Sequence, residues 1–136
     1  MPTQQAKSVT PSVKSITVNL MQQIVEAHEG STRIFRFECV TGDQDHPTEP
    51  GSFTILRKHA LYRSRSYDAQ MNYAMFFSHD GKAFHQYHGF VPLSAVRIAR
   101  AGVSEWFGSH GCVRLTERDA KALYAWAPVG TRVHVR

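Results

Sequence analysis

Polar and apolar residues alternate through Ile16-Thr17-Val18-Asn19-Leu20. A period of two puts every second side chain on the same face, which predicts a β-strand. Gln23 to His28 reads as a second strand, and Glu29-Gly30-Ser31 supplies turn chemistry before a third over 32–40. In that third strand Phe35, Phe37 and Cys39 share one face. A loop rich in Gly, Asp and Pro runs from Thr41 to Gly51. Strand character resumes at Phe53-Thr54-Ile55-Leu56, and Ala60-Leu61-Tyr62 adds a short piece. Tyr73 to Phe77 is an apolar strand, His79-Asp80-Gly81-Lys82 a turn, and Ala83-Phe84-His85 the start of the next strand. Thr131-Arg132-Val133-His134-Val135 alternates as a closing strand.

Two stretches change to helical spacing. Pro92 to Ala101 opens on a proline suited to a first turn and meets Gly102 as a stop. Its Arg97 and Arg100 lie three apart on one face, read here as solvated. Glu117 to Ala127 follows Thr116, a good N-cap, with Asp119 three residues later in a capping-box pattern. Leu115 is placed to pack on Ala120 across the cap. Ala120, Leu123, Tyr124 and Ala127 form the stripe expected of a half-buried helix, and Pro128 ends it. The fold class is therefore mainly β, with one or two short helices.

Composition narrows the picture. The 136 residues suit one domain, with 1–14 as a flexible polar arm and 15–136 as the folded unit. Hydrophobic residues at 42% and charged ones at 20% exclude disorder along the whole length. A net charge of +5 suits nucleic acid, an anionic membrane face or an anionic polymer such as a cell wall. The basic residues are scattered (Arg57 and Lys58, Arg63 and Arg65, Arg132 and Arg136), with no stripe interleaved with aromatics, so nucleic acid is not the expected partner. No stretch approaches the ~20 apolar residues of a membrane span. Met1 to Ser15 has no apolar core of a signal peptide, so the expectation is use where the chain is made, a leader removed beforehand, or export by another route.

The candidate chemistry sits in Ser109-His110-Gly111-Cys112-Val113-Arg114. A nucleophilic thiol needs a neighbouring base or oriented backbone N–H groups to bias it toward thiolate. Gly111 allows a close backbone approach, and the N–H groups of Gly111 and Cys112 are candidates for an oxyanion hole. Cys112 lies a few residues before the Thr116 cap, where the helix dipole has faded, so activation is expected mainly from a histidine. His110, two residues away, points to the same side in an extended chain. His85 lies at the end of a predicted strand, which would hold its ring firmly. His88, in Gln86-Tyr87-His88-Gly89, falls in loop, and His79 reads as exposed. His85, His88, His110 and Cys112 also make a rival zinc-ligand set, though no second cysteine pair or HExxH helix supports it. Cys39 reads as an inert core cysteine. By count alone a Cys39–Cys112 disulfide stays open.

The hexapeptide resembles the signature of the YkuD-type L,D-transpeptidase catalytic domain. Thr41-Gly42 through Thr48-Glu49-Pro50-Gly51-Ser52-Phe53-Thr54-Ile55 is similar to that family's "TG…TPxGxFxI" stretch, with Pro50 displaced. Ser15 to Leu20 resembles its opening strand. Met71 to Phe77 and Ala83-Phe84-His85 resemble its strands leading to the catalytic histidine, and Asp119 to Val133 its tail. The resemblance implies a β-sandwich-like fold and a reaction on peptidoglycan tetrapeptide stems, with no metal or organic cofactor. It implies Cys112 as nucleophile, His85 as general base in preference to His88, and His110 as support. Ser109 and Gly111 would shape the site, and Arg114 would contact a substrate carboxylate. The helix at Pro92–Gly102 lengthens the usual spacing between histidine and cysteine. The expected place of action is the periplasm or cell envelope. The alternatives are an L,D-carboxypeptidase or D-amino-acid exchange enzyme exported against a rival's wall, with an immunity or export partner, and a non-catalytic wall-binding module.

Overall fold

The computed structural model describes residues 13–42, 46–65, 69–102 and 111–136. Among the described residues eleven strands and two helices follow one another: β1 (Lys14–Asn19), β2 (Ile24–Glu29), β3 (Thr32–Glu38), β4 (Gly51–Thr54), β5 (Arg57–His59), β6 (Arg63–Ser64), β7 (Ala69–Gln70), β8 (Ala74–Phe76), β9 (Ala83–Gln86), α1 (Leu93–Gly102), β10 (Val113–Leu115), α2 (Glu117–Trp126) and β11 (Arg132–Val135). They form a five-stranded sheet in the order β3-β2-β1-β11-β4, a four-stranded sheet in the order β10-β9-β8-β5, and the small hairpin β6-β7.

The alternation read from the sequence appears directly in the first sheet. Ile16 and Val18 of β1 and Val133 and Val135 of β11 are buried, while the residues between them are not. The parallel pairing of β1 with β11, Ile16 against Val133, brings the two ends of the domain together at the sheet centre. Phe84, Val113 and Leu115 of the second sheet meet this face in one core, with Met75, Phe77 and Cys39. Cys39 is thus a core residue, as its strand pattern predicted. Cys39 and Cys112 are both thiols, not joined in a disulfide.

Helix α2 closes the core with Ala120 and Leu123, joined by its C-cap Ala127. Thr116 caps it, accepting from the Asp119 N–H at 3.3 Å. No basic residue lies in its last turn, yet its final carbonyls are satisfied from elsewhere. Lys14 Nζ donates to Trp126 O at 2.8 Å and Lys58 Nζ to Ala127 O at 2.7 Å. Cations there also oppose the negative end of the helix dipole.

The structure corrects several local expectations. The short strand expected at Ala60–Tyr62 forms earlier, as Arg57–His59, because β5 takes its register from β8. Strands β6, β7 and β10 are too short to carry a periodic signal. Arg97 is not a solvated side chain: it pairs with Glu38 at 2.9 Å and donates to Cys39 O at 3.2 Å and Gln23 O at 3.1 Å. It pins α1 to the end of β3 and the β1–β2 turn. Residues 1–12 of the arm expected over 1–14 and the side chain of Arg100 lie outside the described residues, and Lys14 is already the first residue of β1. Among the described residues no helix is long and apolar enough to cross a membrane.

Candidate active site

Strand β10 runs parallel to β9 with Val113 opposite Phe84 and Arg114 opposite His85. Phe84 and Val113 point into the core, so alternation turns Ala83, His85, Cys112 and Arg114 to the outer face. Cys112, just ahead of β10, packs there with Ala83, Ala74, Phe76 and Met71, and Tyr62 covers the cluster. His85 and Cys112 are offset by one two-residue step across adjacent strands, a diagonal of roughly 8 Å between Cα atoms that two facing side chains can span. The far edge of β10 is held as well: Val40 N donates to Arg114 O at 3.0 Å and Arg114 N to Val40 O at 2.9 Å.

Polar contacts orient both groups. His85 Nδ1 lies 2.8 Å from Gln86 O. A carbonyl only accepts, so Nδ1 carries the proton and Nε2 is left with its lone pair. The Cys112 thiol points to Gly81 O at 3.9 Å, and the Ala83 N–H faces the sulfur. Burial pushes the thiol up to about 11; the Ala83 N–H, Arg114 and Lys82 pull the other way, and Asp80 adds to the rise. Burial likewise pushes His85 down to about 4, opposed by its bond to Gln86 O and reinforced by Arg114 and His88. At neutral pH the resting pair is therefore a neutral thiol and a neutral imidazole. This corrects the expectation of a thiol biased toward thiolate: at this depth desolvation outweighs the nearby N–H and cations.

A buried relay of hydrogen bonds fixes the turn before the cysteine. The Gln23 side chain accepts from Thr41 N at 2.9 Å and donates to Thr41 Oγ1 at 2.8 Å. Gly42 N donates to Thr48 Oγ1 at 2.9 Å, and that hydroxyl donates to Gly111 O at 2.8 Å. Gly111 has φ of +101°, a region that favours glycine. Gly42 also has no room for a side chain: a Cβ there would stand 2.9 Å from the Gly111 Cα. Sequence reasoning gave no role to Gln23 or Thr48. The only signal for Thr48 was its place in the "TG…TPxG" stretch, and Gln23 had none.

The other expected site residues are placed as follows. Arg114 is half-buried, its guanidinium 5.4 Å from the Tyr87 ring. His88 is exposed, beside Asn72 N at 3.5 Å, and His79 is exposed. Ser109 and His110 lie outside the described residues. Among the described residues no three His, Cys, Asp or Glu groups converge to hold a metal ion.

Comparison with known proteins follows the same lines. Residues 13–135 match the YkuD family, the L,D-transpeptidase catalytic domain. No curated protein matches the chain. An L,D-transpeptidase from Stackebrandtia nassauensis is similar at 29% identity and TM-score 0.77, over 91% of this chain and 55% of that one. An L,D-transpeptidase from Mycobacterium smegmatis shares the fold at 19% identity and TM-score 0.73, over 92% and 59%. L,D-transpeptidase 3 from Mycobacterium tuberculosis, solved with a faropenem-derived adduct, does so at 20% and 0.72, over 93% and 60%. The chain thus spans little more than half the length of these solved proteins.

Proposed function

The chain belongs to the YkuD-type L,D-transpeptidase catalytic domain family, and from that premise we propose that it is a cysteine acyltransferase of peptidoglycan tetrapeptide stems, working in the cell envelope. The observation that carries the reading is the shared outer face of Cys112 and His85, with the His85 tautomer fixed by Gln86 O. In this reading Cys112 Sγ attacks the carbonyl between diaminopimelate and the terminal D-alanine, and its proton passes to His85 Nε2. The C–N bond then breaks, His85 returns the proton to the departing D-alanine amine, and a thioester remains. An acceptor amine attacks the thioester, forming the new amide and restoring the thiol.

Magnitudes constrain the order of events. With burial pushing the thiol up to about 11 and the imidazole down to about 4, moving the proton between them is uphill before any bond to substrate forms. Proton transfer is therefore coupled to attack rather than completed ahead of it. Arg114 faces a substrate carboxylate from the His85 side and Gly111 shapes the mouth, while the family resemblance gives His110 and Ser109 supporting roles. His88 lines the entrance.

The test is incubation of the pure protein with disaccharide-tetrapeptide, products read by mass spectrometry. Cross-linked dimers are the expected product. Tripeptide alone means water is the acceptor, and D-amino-acid-exchanged monomers mean a free amino acid is. No consumption of the stem, together with no acylation of Cys112 by a carbapenem, refutes the reading and favours a wall-binding module.

A further inference from the structure

Lys82 stands in none of the roles above, yet both of its neighbours touch the nucleophile: Gly81 O receives the Cys112 thiol at 3.9 Å, and the Ala83 N–H faces the sulfur. Its own stem lies across Gly111. A Cβ on that glycine would stand 2.5 Å from Lys82 Cε and 3.2 Å from Cδ. The ammonium ends on Asp80, with Nζ 2.8 Å from Oδ2.

The plain explanation is that this ion pair closes the turn over 78–82. The turn is closed without it. Phe77 N donates to Lys82 O at 2.9 Å, Gly81 N to Ser78 O at 3.3 Å and Lys82 N to Ser78 Oγ at 2.9 Å, and Ser78 Oγ in turn donates to Asp80. The side chain of Lys82 is only 21% exposed although its partner Asp80 is 65% exposed, so the lysine leans over the site and the aspartate sits at the rim. An ion pair with so wet a partner contributes little to stability, and another carboxylate readily displaces it. Lysine suits such an exchange, being a point charge on a flexible stem.

We propose that Lys82 selects the acyl donor by its C-terminal carboxylate, leaving Asp80 to pair with that group as the scissile carbonyl reaches Cys112. The inference rests on the acyl-transfer reading above. The carboxylate of a terminal D-alanine lies within roughly 5 Å of the scissile carbonyl, one residue length away. Lys82 approaches from the Gly111 side and Arg114 from the His85 side, so the two cations meet different parts of the stem.

The test compares kcat/KM for a tetrapeptide stem ending in D-alanine with that for the same stem ending in D-alaninamide. In the unaltered protein the acid is preferred tenfold or more. Lys82→Met collapses that ratio toward one, chiefly through KM for the acid, while Lys82→Arg keeps it within about threefold and Asp80→Asn preserves it. An acid preference that survives in Lys82→Met, or a loss that falls equally on both stems, overturns the assignment. Turnover of neither stem by the unaltered protein is a different result: it removes the acyl-transfer reading, and this inference with it.

Discussion

At the scale of single residues, the site turns on one imidazole nitrogen. The Gln86 carbonyl commits His85 Nδ1 to donating and leaves Nε2 with its lone pair, the atom that takes the thiol proton in the proposed reaction. His85→Ala is expected to lower kcat at least a hundredfold, since general-base contributions run to ~10²–10⁴. His88→Ala, at an exposed position, is expected to cost less than about threefold; equal losses in the two variants would remove His85 as the base. Cys112→Ala should abolish stem turnover and carbapenem labelling with its circular dichroism unchanged. Because burial holds the thiol up to about 11, alkylation of the resting protein by iodoacetamide should climb steadily with pH through 9, with no plateau near neutrality. A plateau below pH 8 would reveal a resting thiolate.

At the scale of elements, the turn before Cys112 is braced by a loop some sixty residues away in sequence. The Thr48 hydroxyl accepts from Gly42 N and donates to Gly111 O, so it joins two backbone segments by one oxygen. Thr48→Val keeps the shape and leaves both backbone groups without that partner, at a cost of about 1–3 kcal/mol. The expected result is a lower melting temperature and a kcat reduced about tenfold as Gly111 loses its restraint. Stability lost without any loss of kcat would show that the relay supports the fold alone. The elements themselves were legible in the sequence to different degrees. β1, β11 and α2 announced themselves by alternation, by stripe and by the Thr116 cap. β10 did not: three residues placed between a glycine turn and a helix cap carry no period, and only pairing with β9 and Val40 makes them a strand.

At the scale of the whole molecule, one core joins both sheets and α2, and burial of His85 couples it to stability. Leu123, fully buried in that core, is expected to cost 2–5 kcal/mol when truncated in Leu123→Ala, measured by urea unfolding. The acid limb should carry a His85 component. Its imidazole takes up a proton near 6.5 in the unfolded chain and at about 4 in the folded one. As pH falls below 6.5 the unfolded state binds the proton first, so stability declines until about pH 4, by a total of on the order of 3 kcal/mol. His85→Gln should shallow that decline between pH 6.5 and 4 and leave its slope above pH 7 unaltered. Identical acid limbs in the two proteins would mean that His85 is reached by solvent.

The sequence by itself determined the mainly β architecture, the capped helix, the core role of Cys39 and the hexapeptide around Cys112, because alternation, capping and short motifs are local and survive in one dimension. Tertiary structure decided that His85 shares a face with the thiol, since the His85–Arg114 register pairs residues 29 apart in sequence. It decided that Arg97 binds the β1–β2 turn instead of water, that Thr48 holds Gly111, and that Gln23 holds Thr41. It also set the protonation of the pair: burial depth is a property of the assembled sheets, and at Cys112 and His85 it outweighs the cations and N–H groups nearby.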